Sequence, residues 1–559
     1  MTRLIAIVAA STAVALLEGA VQPVRAKRSL VISANEIASR IGGEALRDGG
    51  NAIDAAVATA FALAVVHPTA GNIGGGGFLV YRSGAGETAA YDFRETAPSR
   101  SSPTMFLQDG RYDAASHHRG YRAAGVPGTV AGLYFAWKEH GRLPWKRLIE
   151  PAITLARDGF VVSIGLSRSL TRVLEDMKSY PASLAQFSKQ GRPYEAGDRL
   201  RQPDLARTLE RIAARGLAGF YEGETASLIA SVMQANGGLM TREDLKAYQA
   251  KKRTPIIGTY RGYEIVAMPL PTSGGVGLVE MLNILEGYDL GAMGYGSAHS
   301  VHLIVEAMRR AFADRARHLG DGDVDGSMPV DRLISKEYAR ELRTTIDPRR
   351  SSTSTPTSFS WPAVGSDTTH ISIVDDRRNA VALTYTLEDA YGSRIVVPGA
   401  GFLLNNEMGD FNAGPGLTTA DGLIGTDANL AQPGKRMLSS MTPTIVSKDG
   451  KLFMVTGSPG GRTIINTVLL TILNAIDFGM NAQEAVDAGR FHHQWLPDRV
   501  TYERFALSSD TIELLKGAGY TLQEGGAQGA AEVIIYGAAD DLLEGGVDRR
   551  QPDSGAAAR

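Results

Sequence analysis

Two threonines, Thr368 and Thr369, stand where the sequence changes character. Upstream lies SSTSTPTSFSWPAVGSD, residues 351–367, rich in Ser, Thr and Pro and without a helical or strand period. Downstream lies THISIVD, which alternates apolar and polar residues as a half-buried strand does. A threonine hydroxyl inside a chain is a poor nucleophile, because no neighbour takes its proton. Were the bond between Asp367 and Thr368 broken, the freed α-amine would titrate near pH ~8 and act as a base on the same residue. The hydroxyl can make that cut itself, by attack on the Asp367 carbonyl and hydrolysis of the resulting ester. A loose tether lets the new end move away. The plain alternative is a pair of β-favouring threonines on an ordinary hairpin, and the pattern leaves both open.

A second alternating run, AVALTYTLE (380–388), supplies a partner for this strand. Pairing across a turn at 376–379 sets Asp375 opposite Ala380 and Thr369 opposite Thr386. Thr386 then falls within a residue of Thr368, in reach of its amine or hydroxyl.

Other chemistries have less support. The chain has no cysteine, which removes disulfide scaffolds, thiolate metal sites and a cysteine nucleophile. With 58 basic and 60 acidic residues the net charge is −2, and no long block of either sign marks a nucleic-acid or anionic-membrane partner. DGDVDG (321–326) imitates the start of a calcium loop, but Arg332 occupies the twelfth position where a glutamate is required, so it reads as a solvated turn. His299 with His302, and the pairs His117-His118 and His492-His493, lack metal-ligand spacing and a third ligand. No G-x-S-x-G elbow is present. GNIGGGGF (71–78) has no phosphate-loop spacing and reads as close packing of backbones.

The elements that must position the threonines follow from periodicity. Residues 34–66 predict two helices, broken at Gly49-Gly50, with Asn51 capping AIDAAVATAFALAVV and Pro68 ending it. The stretch 130–345 is mostly helical in pattern, most clearly at EAMRRAFADRARHLG (306–320). Beyond the tether, strands alternate with the apolar helix TIINTVLLTILNAIDFG (463–479), and KDGK signals a hairpin. Such a mixture predicts stacked antiparallel sheets covered by helices. At the N-terminus, LIAIVAASTAVALL (4–17) fits the core of a cleavable export signal and is short for a span of ~20 residues. That predicts residues 1–26 as a signal peptide cut after Ala26, and a mature protein that is periplasmic or secreted, outside the membrane.

The ordered segments GGNAIDAAVATAFALAVVHPTAGNIGGGGF, YDFRETAP, TTHISIVD, NAVALTYTLEDAYGS, GFLLNNEMGDF, PGKRMLSSMTPTIV, TGSPGGRTIINTV and RFHHQWLPD resemble the γ-glutamyltransferase (γ-glutamyltranspeptidase) family of N-terminal-nucleophile (Ntn) hydrolases. The resemblance implies an α+β fold, a four-layer αββα sandwich made as a precursor. That precursor would cut itself into a large subunit (27–367, ending in a flexible tether from about 348) and a small catalytic subunit (368–559), which stay together as a heterodimer. It further implies Thr368 as nucleophile and, through its α-amine, base, with Thr386 in support and Gly460 and Gly461 as the oxyanion hole. Arg94, Ser439 and Ser440 would take the α-carboxylate of the donor, and Glu388, Glu407 and Asp410 its α-ammonium. Glutathione and other γ-glutamyl compounds are the implied donors, water and amino acids or peptides the acceptors, with no metal or organic cofactor. Two departures stand out. Asp421, in the lid-like segment 415–436, occupies the place of a gating tyrosine, and Arg394 stands where a small residue is common. A glutaryl-7-aminocephalosporanic acid (cephalosporin) acylase of the same fold and an unprocessed exported glutathione-binding protein are the competing expectations.

Overall fold

The computed structural model describes residues 21–326, 328–355, 368–417, 419 and 425–559. The apolar run 4–17, Asp367 and Asp421 lie outside them. Among the described residues, two seven-stranded antiparallel sheets form the middle of the molecule. From edge to edge the first runs Val24–Ala26, Leu542–Val547, Glu532–Gly537, Lys451–Gly457, Thr444–Lys448, Tyr263–Ala267 and Ile256–Tyr260. The second runs Gly555–Ala558, Leu30–Ser33, Thr368–Val374, Ala380–Thr386, Gly76–Arg82, Thr88–Phe93 and Lys251–Arg253.

The expected αββα sandwich is present, and alternation along the central strands explains it. Ile371 and Ile373 pack with helices Glu36–Arg47 and Ala52–Val66 in one core. Val374, Ala380 and Ala382 face the first sheet and join a second core with helices Gly274–Leu285 and Thr463–Ile476. The helix Ala52–Val66 is buried on every side. Its start is set by Asn51, whose side chain accepts from the amides of Ile53 and Asp54 while Asp54 returns to the Asn51 amide. The KDGK hairpin also forms, between Thr444–Lys448 and Lys451–Gly457.

The strand register differs from expectation by one residue. Thr368, not Thr369, lies opposite Thr386, and Val374 lies opposite Ala380. The cause is Asp375, which is drawn into the turn: its carboxylate accepts from the amides of Arg377 and Asn379 and from the Asn379 side chain. The turn therefore has five residues, and the period of two puts Thr368 and Thr386 together on the face toward the first sheet.

Two of the expected boundaries fall in paired backbone. Val24–Ala26, where the signal was expected to end, is an edge strand paired with Leu543–Gly545. A cut after Ala26 would remove that strand. The tether expected to be loose from residue 348 begins pinned: the Ser351 amide donates to Ala518 O at 2.9 Å, Ser352 to Glu306 at 3.1 Å and Ser354 to Asp498 at 2.7 Å.

Candidate active site

Thr368 begins a central strand at one end of the sandwich, buried to 8% exposure. Its hydroxyl donates to Thr386 Oγ1 at 3.3 Å, and the Glu388 amide donates to the same oxygen at 2.8 Å. The glycine run serves this pair as close packing. A Cβ on Gly75 would stand 2.0 Å from the Thr386 carbonyl oxygen, and Asn72, which holds the Gly75 amide, also donates to that carbonyl. Thr369 points the other way and takes no place in the pocket.

Around Thr368 opens a small pocket lined by charged residues of both signs. Arg94, Thr386, Glu388, Glu407, Asp410, Ser439, Ser440 and Gly461 all reach it, so nearly every expected site residue converges here from distant parts of the chain. Gly460 stands just behind, its carbonyl accepting from Thr463 in the first turn of the helix Thr463–Ile476. The positive end of that helix dipole is thereby aimed at the pocket.

The charges are paired otherwise than the resemblance implied. Arg94 is fully buried and donates to both Glu407 and Asp410, with Glu95 at 3.5 Å. A buried guanidinium needs such counter-charges, and they hold its proton more firmly than usual against burial. Burial, and then the neighbouring acids, push Glu388 and Glu407 well above the ordinary carboxyl range. Ser440 is met instead by a cation the sequence reading missed, Arg315. It donates from Nε to Ser273 Oγ at 2.6 Å and from Nη2 to Ser440 Oγ at 2.9 Å. Since Arg315 only donates, Ser440 Oγ accepts, and its own proton is left to point elsewhere. Burial lowers Arg315 to about 9. Arg462, beside Gly461, is a further lining cation, depressed by burial and by Arg315.

Signals for both were present. Arg315 follows Met308, Ala311 and Phe312 along the buried stripe of its helix, where an arginine demands partners. Arg462 directly follows the glycine pair.

Two features outside the expected site residues have defined partners. The DGDVDG segment is the largely exposed turn expected, and its carboxylates are paired: Asp323 with Lys251 and Arg253, Asp325 with the buried Lys435, while the buried Asp321 accepts from the Arg436 amide. Arg394 has φ +65° and ties Asp389 and Asp176 together with the Gly392 carbonyl. Among the described residues no helix is long and apolar enough to cross a membrane, and no cluster of acidic and histidine side chains has the makings of a metal site.

A family model described as gamma-glutamyltranspeptidase matches residues 38–558. The glutathione hydrolase proenzyme of Escherichia coli K12 is 47% identical over 541 residues, covering 96% of this chain and 93% of that protein. The acylase ACY 1 proenzyme of Pseudomonas sp. SE83 is 38% identical, covering 84% and 83%. Among solved structures, a cephalosporin acylase from Bacillus halodurans superposes with a TM-score of 0.85 at 27% identity, covering 97% of both chains. A Helicobacter pylori gamma-glutamyltranspeptidase chain gives 0.56 at 47% identity, covering 56% of this chain and 91% of its own.

Proposed function

The chain belongs to the γ-glutamyltranspeptidase family, and from that premise we propose how its residues carry the reaction. It is a glutathione hydrolase and γ-glutamyltransferase made as a proenzyme. The precursor cuts itself between Asp367 and Thr368, and the new α-amine of Thr368 then takes the proton of its own hydroxyl. Thr368 Oγ1 attacks the γ-carbonyl of a γ-glutamyl amide and forms an ester on the enzyme. Water releases glutamate from that ester, or an amino acid or peptide amine carries the group away. Thr386 orients the nucleophile, and the backbone N–H groups of Gly460 and Gly461, at the head of a helix, receive the oxyanion.

The donor's charged end is zwitterionic, and so is the pocket. Ser439 and Ser440, backed by Arg315 and by Arg94, suit the α-carboxylate. Glu388, Glu407 and Asp410 suit the α-ammonium. Arg94, being already paired with two of those acids, holds them in place as much as it holds the donor. The single observation that carries this reading is the Thr368–Thr386 hydroxyl pair at 3.3 Å on the wall of a pocket with both charge signs.

The acylase reading has the Bacillus halodurans and Pseudomonas likenesses in its favour. A glutaryl donor has no α-ammonium, however, so the three carboxyl groups would have nothing to bind. Intact mass of the denatured protein tests the processing: two fragments are expected, the smaller beginning at Thr368, with Thr368→Ala remaining one chain. Faster turnover of a glutaryl than of a γ-glutamyl anilide by the mature enzyme would reverse the choice of substrate.

A further inference from the structure

Beside the pocket, the short helix Ala114–His118 carries two histidines next to Tyr112 of the preceding strand, His118 reaching Glu388, and their hydrogen bonds permit a proton count. His117 Nε2 lies 3.1 Å from the Met408 carbonyl oxygen, which can only accept, so Nε2 carries the proton. His117 is buried and neutral, its pKa lowered well below the ordinary value by burial and then by His118. Its Nδ1 is therefore a lone pair, and it takes the single hydroxyl proton of Tyr112, 3.0 Å away. Tyr112 Oη has no second proton for His118 Nε2, at 3.3 Å, and can only accept from it. That puts the His118 proton on Nε2 and leaves Nδ1 facing Glu388 Oε1 at 3.2 Å. A bare lone pair cannot face a bare carboxylate at that distance, so one proton must lie between them.

We propose that this wiring holds Glu388 as a protonated carboxyl group donating to His118 Nδ1, so that Glu388 meets the donor's α-ammonium as a neutral acceptor through Oε2. Glu388 lines the pocket, and Oε2 is buried without a hydrogen-bond partner among the described residues, so an acceptor is on offer there. The geometry is held on both sides. Glu388 has φ +77°, fixed by the hydrogen bond its amide donates to Thr386 Oγ1, and Gly409 lies under the pair. A Cβ on Gly409 would stand 2.4 Å from His118 Nδ1 and 2.7 Å from both Glu388 oxygens.

The surroundings place the proton on the glutamate. Asp389, Asp410 and Glu407 face Glu388, with Arg94 as the offsetting cation already bound to the latter two, and Arg462 across the pocket. Burial first, and these acids next, hold the Glu388 proton on. Burial lowers His118, and Arg462 and Arg119 add to that against Asp389 and Asp410. The pair thus offers the ammonium an acceptor at Glu388 without adding a full negative charge there. His118 acts through Glu388 and is a positioning residue.

Imidazole nitrogen-15 spectra of the mature, histidine-labelled two-chain enzyme at pH 7 test the proton count, with His118→Gln giving the assignment. His118 is expected as the neutral Nε2–H tautomer; an imidazolium or an Nδ1–H tautomer overturns the proposal. The kinetic arm rests on the reading of Glu388 as an α-ammonium ligand. His118→Ala is expected to raise KM for γ-glutamyl-p-nitroanilide by roughly 10-fold with a smaller change in kcat, the loss of one hydrogen bond of ~1.4 kcal/mol. His118→Gln, whose amide oxygen can accept from Glu388, is expected to restore most of it. An unchanged KM in His118→Ala, or an equal fall of kcat in both variants, overturns the positioning role. A wild-type enzyme inert toward the anilide would instead count against the proposed function and leave the spectroscopic result standing.

Discussion

Removing one oxygen from the site, Thr386→Val, separates support of the nucleophile from mere packing. Valine keeps the shape and the β-branch that suit a central strand, so the fold is expected to survive. Among the described residues, Thr386 Oγ1 accepts from the Thr368 hydroxyl at 3.3 Å and from the Glu388 amide at 2.8 Å. The first is long and neutral, and its loss costs about 0.5–1 kcal/mol. The second leaves a buried N–H unsatisfied, at a cost of about 1–3 kcal/mol, and frees Glu388 from its left-handed backbone position. Together they amount to about 1.5–4 kcal/mol, a fall in kcat/KM of roughly 10- to 1,000-fold. The loss should divide between kcat, through Thr368, and KM, through Glu388. Thr386→Ser keeps the oxygen and is expected to stay near wild type. The assay is steady-state release of p-nitroaniline from γ-glutamyl-p-nitroanilide by mature protein, with intact mass following self-cutting. A Thr386→Val enzyme within threefold of wild type in both parameters would refute the support role.

Two further outcomes follow from buried charges. Arg315→Leu removes the donor behind Ser440, and KM for donors with an α-carboxylate should rise by about 10-fold or more; discrimination against an anilide lacking that carboxylate should shrink, and an unaltered ratio would refute the assignment. Glu95 is fully buried, and burial raises it from 4.5 to about 8 despite Arg94 beside it. The folded state therefore keeps a proton that the unfolded chain loses above about pH 4.5, and this group's contribution to stability falls as pH rises from 4.5 to about 8, then levels. The slope is about 1.4 kcal/mol per pH unit per proton, and denaturant midpoints at pH 5 and pH 8 should show it reduced in Glu95→Gln.

The chemistry was legible because residue type and order carry it. A threonine pair after a Ser/Thr/Pro run, a second threonine on the next strand, and a glycine pair before an apolar helix are local facts. The two-sheet architecture followed from strand periods of two and from helices capped by Asn51 or started after Gly460-Gly461. The hairpin register was less legible. The alternating pattern allowed Thr369 opposite Thr386, and only the side-chain bonds of Asp375 drew that residue into the turn.

Sequence alone therefore named the groups proposed for the reaction: a nucleophile, its supporting hydroxyl, and acids and bases enough for a zwitterion. Tertiary structure decided their charge states and pairings, because those depend on neighbours far apart in the chain. Arg94 finds Glu407 and Asp410 more than 300 positions away, Arg315 finds Ser440 across 125, and His118 finds Glu388 across 270. Burial then fixes the cost of each charge, and no periodicity reports how dry a side chain will be once its partners close around it.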